Sequence, residues 1–249
     1  KELGRSRPAF TLQGTGHFKA DGEHGAKEFR RFLGLADMDI PTDIYASLRQ
    51  GGAHVFRRRL GNSNISGLFV RHPAAGHCLL VNYSEDIYRQ RFSAGHEMAH
   101  SVYDADTGAS VSYMKHHGPD LREVRANRFA SCLLLPPATL RALPPLEGWD
   151  TEQALGFAKQ FRVSCDALGV AMQAAGLASP EAAARIRALR VPRDEKKDPE
   201  LAPSLTPGQL QRKVKLLELG LSDFYVGLCF EAFGAGAISA GRLAEALLT

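Results

Sequence analysis

Residues 95–100 read Gly-His-Glu-Met-Ala-His and contain the pattern HExxH. Apolar side chains recur at helical spacing on both sides of it, which predicts a helix from about Asp86 to Tyr103. One helical turn places His96 and His100 on the same face, about 5 to 6 Å apart at Cβ. Two imidazoles at that spacing can converge on one zinc ion at about 2.0 to 2.1 Å. The motif therefore requires an ordered helix with one face turned towards a metal.

Glu97 follows His96 directly, so its carboxylate is expected beside the metal rather than on it. There it can accept a proton from an attacking water and pass the proton to a leaving amine. The alternative is an ordinary amphipathic helix that happens to carry two histidines. The intervening glutamate favours the metal site, and we predict Glu97 as a catalytic residue and zinc as the cofactor.

A third metal ligand is expected on a second helix. A catalytic zinc takes three protein ligands and keeps one position open. A helix is predicted from Pro119 to Leu135, where Pro136 and Pro137 end it. Glu123, one turn inside this helix, is the best candidate for the third ligand. Asn127 lies one turn later on the same face and is a candidate hydrogen-bond partner for a ligand.

Five other side chains are candidates for a role at the site. Asp106, six residues after the second motif histidine, is a rival third ligand. His116 and His117 precede the second helix, and either is a candidate for metal binding or for stabilising an oxyanion. Tyr103 is another oxyanion candidate. Cys78 lies on a predicted strand that leads into the metal-binding helix, so its thiol is a candidate inhibitory ligand. The alternative for Cys78 is a small buried hydrophobe.

The composition indicates a cytoplasmic, globular protein. The chain is 44% hydrophobic and 23% charged, with a net charge of +4. No secretory signal or membrane helix is recognisable, and the four cysteines are scattered without a CxxC pair, as expected in a reducing compartment. The basic run Arg57–Arg59 is interpreted as solvated surface charge, because a nucleic-acid surface usually carries a larger and more continuous positive excess.

The elements around the two motifs predict a mixed α and β architecture. Three strands are expected at 53–58, 67–71 and 77–81, joined by turn-rich segments into an antiparallel meander. Residues 104–118 are expected to form a loop. Short helices are expected at 151–161, 164–175 and 180–189, and a last helical pair at 207–233 and 239–248.

The two helical motifs together resemble the ImmA/IrrE family of HExxH metallopeptidases. The resemblance is carried by Arg91–His100, by the strand ending at Asn82, and by Glu123–Ala130 followed by Leu133–Pro136. It covers about residues 30–176. The resemblance implies that Glu123 is the third metal ligand. It also implies an intracellular protease that cuts a helix-turn-helix repressor of the Xre type and so releases stress, mobile-element or phage-defence genes.

The segment from residue 158 to 177 has the spacing of a helix-turn-helix, a unit that reads DNA with its second helix. That second helix contains almost no side chains suited to reading bases, which favours packing or protein docking over direct nucleic-acid binding. The functional alternative from another class is a DNA-binding or ligand-sensing regulator with a structural zinc site. Structural sites usually have four protein ligands that include cysteine.

We therefore predict an α+β fold. A zincin-like peptidase domain with a small antiparallel sheet and active-site helices is followed by all-helical C-terminal regions. The predicted divisions begin with a loose N-terminal arm (1–25) and the peptidase domain (26–148). A helix-turn-helix-like helical domain (149–191), a linker (192–206) and a C-terminal helical region (207–249) follow.

Overall fold

The computed structural model describes residues 9–61, 64–113 and 120–247, and within these ranges the chain has an α+β fold with eleven α-helices and four strands. The predicted fold class is confirmed. The helices of the first part of the chain are α1 (Phe18–Phe32), α2 (Ile44–Gln50), α3 (Ile87–Tyr103), α4 (Leu121–Leu134) and α5 (Pro137–Arg141). The strands are β1 (Ala53–Arg58), β2 (Ile65–His72), β3 (Gly76–Asn82) and β4 (Ala109–Tyr113). The later helices are α6 (Thr151–Phe161), α7 (Cys165–Ala174), α8 (Pro180–Ala188), α9 (Pro207–Glu218), α10 (Asp223–Gly234) and α11 (Ala240–Ala246).

The sheet is mixed and has the order β1-β3-β2-β4, so the predicted antiparallel meander is wrong. Strand β3 lies between β1 and β2, parallel to β1 and antiparallel to β2. Leu79 and Val81 of β3 are fully buried, and Leu80 between them is partly buried on the other face. A strand that is apolar on both faces is best covered in the middle of a sheet, which explains why β3 is inserted there.

The segment after α3 was predicted to be a loop, but it contains a short 3-10 turn at Ala105–Thr107 and then β4. Strand β4 pairs antiparallel with β2, and Val111 lies opposite Leu68. Among the described strands β4 pairs with β2 alone, so it forms an edge of the described sheet. Five residues of alternating character are a weak signal, which explains why the strand was missed.

The two predicted motif helices are confirmed as α3 and α4. The Asp86 side chain accepts a hydrogen bond from the Tyr88 amide at 3.0 Å, and that of Asp120 accepts one from the Arg122 amide at 2.8 Å. These caps fix where each helix begins. The helices pack closely where Gly95 meets Ala130: a methyl group at Gly95 would lie 3.4 Å from the Cβ of Ala130. Close packing of the two helices brings their polar residues within reach of one another.

Helix α1 begins at Phe18, inside the segment predicted to be a loose arm. Its glycines suggested an unstructured chain, but Gly22 and Gly25 are buried at close contacts. A methyl group at Gly22 would lie 2.5 Å from the carbonyl oxygen of Arg125, and one at Gly25 would overlap the ring of Tyr103. The glycines therefore allow α1 to pack tightly over α3 and α4, and this compensates for their low helix propensity.

The C-terminal part is helical, as predicted. Helices α6, α7 and α8 match their predicted positions within one residue. The single helix expected at 207–233 is instead divided into α9 and α10 around Gly220, whose φ is 92°. A positive φ is strained for other residues, so the glycine permits a sharp turn between the two helices. No helix within the described ranges is both long and apolar enough to cross a bilayer.

The predicted linker, residues 192–206, is bound to the sheet through Arg57. The guanidinium of Arg57 pairs with Asp198 at 2.6 Å and with Glu200 at 3.0 Å, and its side chain is only 2% exposed. The side-chain oxygen of Gln90 on α3 accepts two further hydrogen bonds from it, at 3.0 and 2.9 Å. The interpretation of Arg57 as solvated surface charge is therefore wrong. A buried ion pair with these additional hydrogen bonds holds the segment in place.

Candidate metal centre

Helices α3 and α4 bring three potential metal ligands together. Nε2 of His96 and Nε2 of His100 lie 3.2 Å apart. Each also lies 3.1 Å from a carboxylate oxygen of Glu123. In the described part of the chain, these three side chains form a cluster that could hold a metal ion, with their donor atoms within 4.8 Å of one another. The structure thus brings together the two motif histidines and the glutamate expected on the second helix.

The outward nitrogens of both histidines have partners that fix the rings. Nδ1 of His96 lies 3.1 Å from Oδ1 of Asn127, and Nδ1 of His100 lies 2.9 Å from Oδ2 of Asp104. With each Nδ1–H donating outward, each Nε2 presents a lone pair inward. Asn127 therefore lies within hydrogen-bond distance of a motif histidine. Asp104 was missed, although a carboxylate four residues after a ligand on a helix is a recognisable signal.

Arg125 extends this arrangement from α4. Its guanidinium donates to Oδ1 of Asp104 at 2.5 Å and lies over the ring of Tyr103, 4.6 Å from the centroid. Burial alone raises the pKa of Asp104, but hydrogen bonds from His100 and Arg125 outweigh burial and lower it. Asp104 is consequently ionised at neutral pH, and an anion at this position increases the basicity of the imidazole that it contacts.

The cluster is strongly polarised when no metal is bound. Burial lowers the pKa of His100, but its hydrogen bonds to Asp104 and Glu123 raise the pKa to about 9. Burial raises the pKa of Glu123, yet the hydrogen bonds from the two histidines bring it far below its ordinary value. Without a metal, a proton on His100 therefore balances the Glu123 carboxylate. A cation at the same place would provide that balance without the proton.

Two imidazole nitrogens and one carboxylate form a donor set suited to a catalytic zinc ion. The fit has a structural basis: both Nε2 atoms face the Glu123 carboxylate, while both Nδ1 atoms are held by other side chains. Within the described ranges the cluster contains no cysteine and no fourth protein ligand, unlike a typical structural zinc site.

Glu97 lies beside the cluster and is completely buried. Its carboxylate oxygens make no hydrogen bond of ordinary geometry with a described residue, although the Ser112 side chain of β4 is close enough to act on the Glu97 pKa. Strand β2 approaches it at Gly67, where a methyl group would lie 2.5 Å from Oε1 of Glu97. Burial raises the pKa of Glu97, and the two histidines only partly oppose this effect. Glu97 is thus held rigidly in a narrow space with its proton affinity increased, as a general base requires.

Three of the other candidates lie away from the cluster. The side chain of Asp106 is 99% exposed and pairs with Arg71 at 3.2 Å. The hydroxyl of Tyr103 donates to the backbone oxygen of Asp21 at 2.6 Å, so it is directed towards α1 instead of towards the two Nε2 atoms. Cys78 alternates with the buried His77 and Leu79 and lies on the opposite face of the sheet from α3. His116 and His117 lie outside the described residues.

The fold and the cluster together define a candidate peptidase of the HExxH type. The model of the family Peptidase_M78, described as the IrrE N-terminal-like domain, matches residues 49–173, just over half of the chain. The chain therefore belongs to this family, which supports a metallopeptidase with a protein substrate. The matched range includes α3, α4 and the whole sheet. No curated protein matches the chain.

Proposed function

We propose that the protein is a cytoplasmic, zinc-dependent endopeptidase that cleaves a helix-turn-helix transcriptional repressor of the Xre type. Cleavage would derepress stress, mobile-element or phage-defence genes. The observation that carries the peptidase proposal is the cluster of His96, His100 and Glu123 with the buried carboxylate of Glu97 beside it. The alternative, a regulator with a structural zinc, is less well supported because no fourth ligand lies near the cluster in the described ranges.

In the proposed mechanism, His96, His100 and Glu123 hold the zinc ion. When bound, zinc supplies a Lewis acid that polarises the peptide carbonyl. Glu97 takes the proton from the attacking water and delivers it to the leaving amine nitrogen. In the metal-free protein burial raises the pKa of Glu97, which increases the proton affinity that a general base needs. Asn127 and Asp104 keep the two imidazoles oriented.

The sheet edge next to the cluster supports an extended substrate. In the described part of the sheet, β4 pairs with β2 only, so one side of its backbone is available to another strand. An added peptide strand would pair through its main chain and present its scissile carbonyl beside α3. Ser112 of β4 lies opposite Gly67, the residue that contacts Glu97, so the strand runs past the general base.

The choice of a repressor as substrate rests on the family resemblance. Direct DNA binding by α6 and α7 is not favoured, because Leu168, Ala171 and Met172 of α7 are buried in packing and little of the helix is left to read bases. A dedicated protein substrate also suits an enzyme that shares a compartment with the host proteome.

The proposal is tested by incubating the zinc-loaded protein with a purified helix-turn-helix repressor encoded by the neighbouring open reading frame. Wild type should cut the repressor at one or a few bonds, identified by mass spectrometry. Glu97→Gln should leave it intact, and unfolded casein should be digested slowly or not at all. Efficient casein digestion, or equal repressor cleavage by Glu97→Gln, would contradict the proposal.

A further inference from the structure

The sheet has a second apolar face, turned away from the metal cluster. Phe56 of β1, Leu80 of β3 and Leu68 of β2 lie opposite one another in register across three strands. Cys78 and Val70 form the next row. All five side chains are partly buried, whereas alternate residues such as Leu79 and Phe69 are fully buried beneath α3. This outer face therefore needs a cover of its own.

The C-terminal helices provide an incomplete cover. The Arg59 amide donates to the Glu218 oxygen at 2.9 Å, which joins the end of α9 to β1. Tyr225 of α10 packs edge-on against Phe56, with ring centroids 5.6 Å apart. Between the sheet and these helices is a cavity of about 320 Å³. Its lining is mainly apolar and includes residues from the sheet, from the α9–α10 turn and from α11, among them Leu68, Val70, Cys78, Leu221, Tyr225 and Ala246.

The cavity is open to solvent on one side and is large enough for a small ligand. An apolar cavity of about 150 Å³ already accepts benzene, and small-molecule sites begin at roughly 300 Å³. Taking about 30 Å³ for each water-sized group, the cavity holds about ten non-hydrogen atoms.

One charged group defines the polarity of the ligand. Arg58 lines the cavity and forms no ion pair with the residues that the structure describes, although its neighbours Arg57 and Arg59 are both paired. Its side chain is exposed, so the charge lies at the solvent end of the cavity. A ligand with an apolar body inside and an anionic group at Arg58 would match both the lining and the charge.

We propose that this cavity is a binding site for a small amphipathic carboxylate, with a hydrocarbon or aromatic body of about ten non-hydrogen atoms. The site is formed by the sheet and the C-terminal helices and is separated from the metal cluster by the sheet. The proposal does not depend on peptidase activity, and its test measures binding alone.

The test uses octanoate, which has about the predicted number of atoms, and 1-octanol as its uncharged counterpart. Binding to the zinc-loaded full chain is followed by calorimetry at concentrations below micelle formation. Cys78 gives a local readout, because it lines the cavity and is partly exposed, whereas Cys132, Cys165 and Cys229 are buried. Octanoate should slow the alkylation of Cys78 several-fold, as measured by mass spectrometry, and leave the other cysteines unaffected.

Variants separate the two parts of the site. Val70→Trp should fill the cavity and abolish binding of both probes. Cys78→Phe, on the residue that pairs with Val70 across the strands, should fill the cavity in the same way if Val70→Trp folds poorly. Arg58→Gln should lower the affinity for octanoate about threefold, as expected when an exposed charge pair is lost, and leave the affinity for 1-octanol unchanged. Arg141→Gln, an exposed arginine on α5, is the matched control.

Three results would overturn the proposal. The first is a failure of octanoate to protect Cys78, and the second is undiminished binding in a folded filled-cavity variant. The third is an equal effect of Arg58→Gln and Arg141→Gln on octanoate affinity, which would exclude an anionic ligand.

Discussion

Gly67→Ala is the substitution that most sharply tests the position of the proposed general base. A Cβ at Gly67 would lie 2.5 Å from Oε1, 2.8 Å from Cγ and 2.9 Å from Cδ of Glu97. Ordinary contacts between such atoms are about 3.5 to 4.0 Å, so one partner has to move by roughly 1 Å. Glu97 is completely buried and Gly67 is held in the sheet between β3 and β4, so the carboxylate is displaced within a confined space.

The expected cost falls mainly on catalysis. A misplacement of about 1 Å at a reacting group can lower the rate by about 100-fold. The overpacked site should also lose about 1 to 3 kcal/mol of unfolding free energy. The metal should remain bound, because the three atoms nearest to the new methyl group all belong to Glu97 and not to a metal ligand.

The assay combines repressor cleavage with zinc content. Gly156→Ala is the matched control, since a methyl group on that glycine of α6 meets nothing within 4 Å. It should retain full activity and full zinc. If Gly67→Ala cleaves the repressor as fast as wild type, Glu97 does not work from the position that the structure gives it. If Gly67→Ala loses its zinc, the separation of base and ligands is wrong.

Two further predictions concern the surroundings of the cluster, and a third concerns the ion pairs that hold the segment 192–206. Asp104→Asn should lower the zinc affinity about 10- to 100-fold, measured in a competition titration with a chromophoric chelator. Asp106→Asn, at an exposed position, should leave the zinc affinity unchanged. Equal losses of affinity in both variants would contradict a selective role for Asp104. In the metal-free protein, the carboxylate partners of His100 outweigh the effect of burial and raise its pKa to about 9. The protonated imidazole therefore stabilises the fold, and this stabilisation is complete below pH 6.5, the ordinary pKa of histidine. The melting temperature should therefore fall as the pH rises from 6.5 through 9, and a flat profile would refute this. Arg57→Gln leaves the partly buried Asp198 without its ion-pair partner, whereas Glu200 keeps Arg49 at 2.7 Å, and it should cost about 3 kcal/mol in urea unfolding. Arg59→Gln, at a largely exposed pair, should cost less than about 1 kcal/mol, and similar losses in both variants would exclude the buried ion pair as the cause.

The helices that carry the candidate site were predictable because their signals are local. Helical periodicity and capping residues lie within a few positions of one another, so α3 and α4 appear where the sequence placed them. Asp104 was equally accessible from its spacing of four residues after His100. Its role is to orient a ligand and not to bind the metal, and the HExxH pattern does not include it.

The arrangement of the strands was not predictable from the same kind of signal. Pairing is non-local, and the insertion of β3 between β1 and β2 depends on which strand gains most from cover on both faces. The orientation of Cys78 was not predictable either. Because β3 is apolar on both faces, its alternation does not tell which face meets α3.

Charged and glycine-rich segments were not predictable for a different reason. Arg57 looks like a surface residue until its partners Asp198 and Glu200, far along the chain, are brought to it by the fold. Gly22 and Gly25 look like signs of a loose chain until α1 is placed against Arg125 and Tyr103. In both cases the neighbour that changes the interpretation is distant in sequence.

Zinc stoichiometry in wild type, Glu97→Gln and Glu123→Ala tests the central claim most directly, and it requires no substrate. Each protein is loaded with zinc, freed of excess metal and analysed by elemental mass spectrometry, with folding checked by circular dichroism. The account predicts one zinc per chain in wild type and in Glu97→Gln, which loses a base but no ligand, and little or none in Glu123→Ala. Full zinc in folded Glu123→Ala would contradict the assigned ligand set.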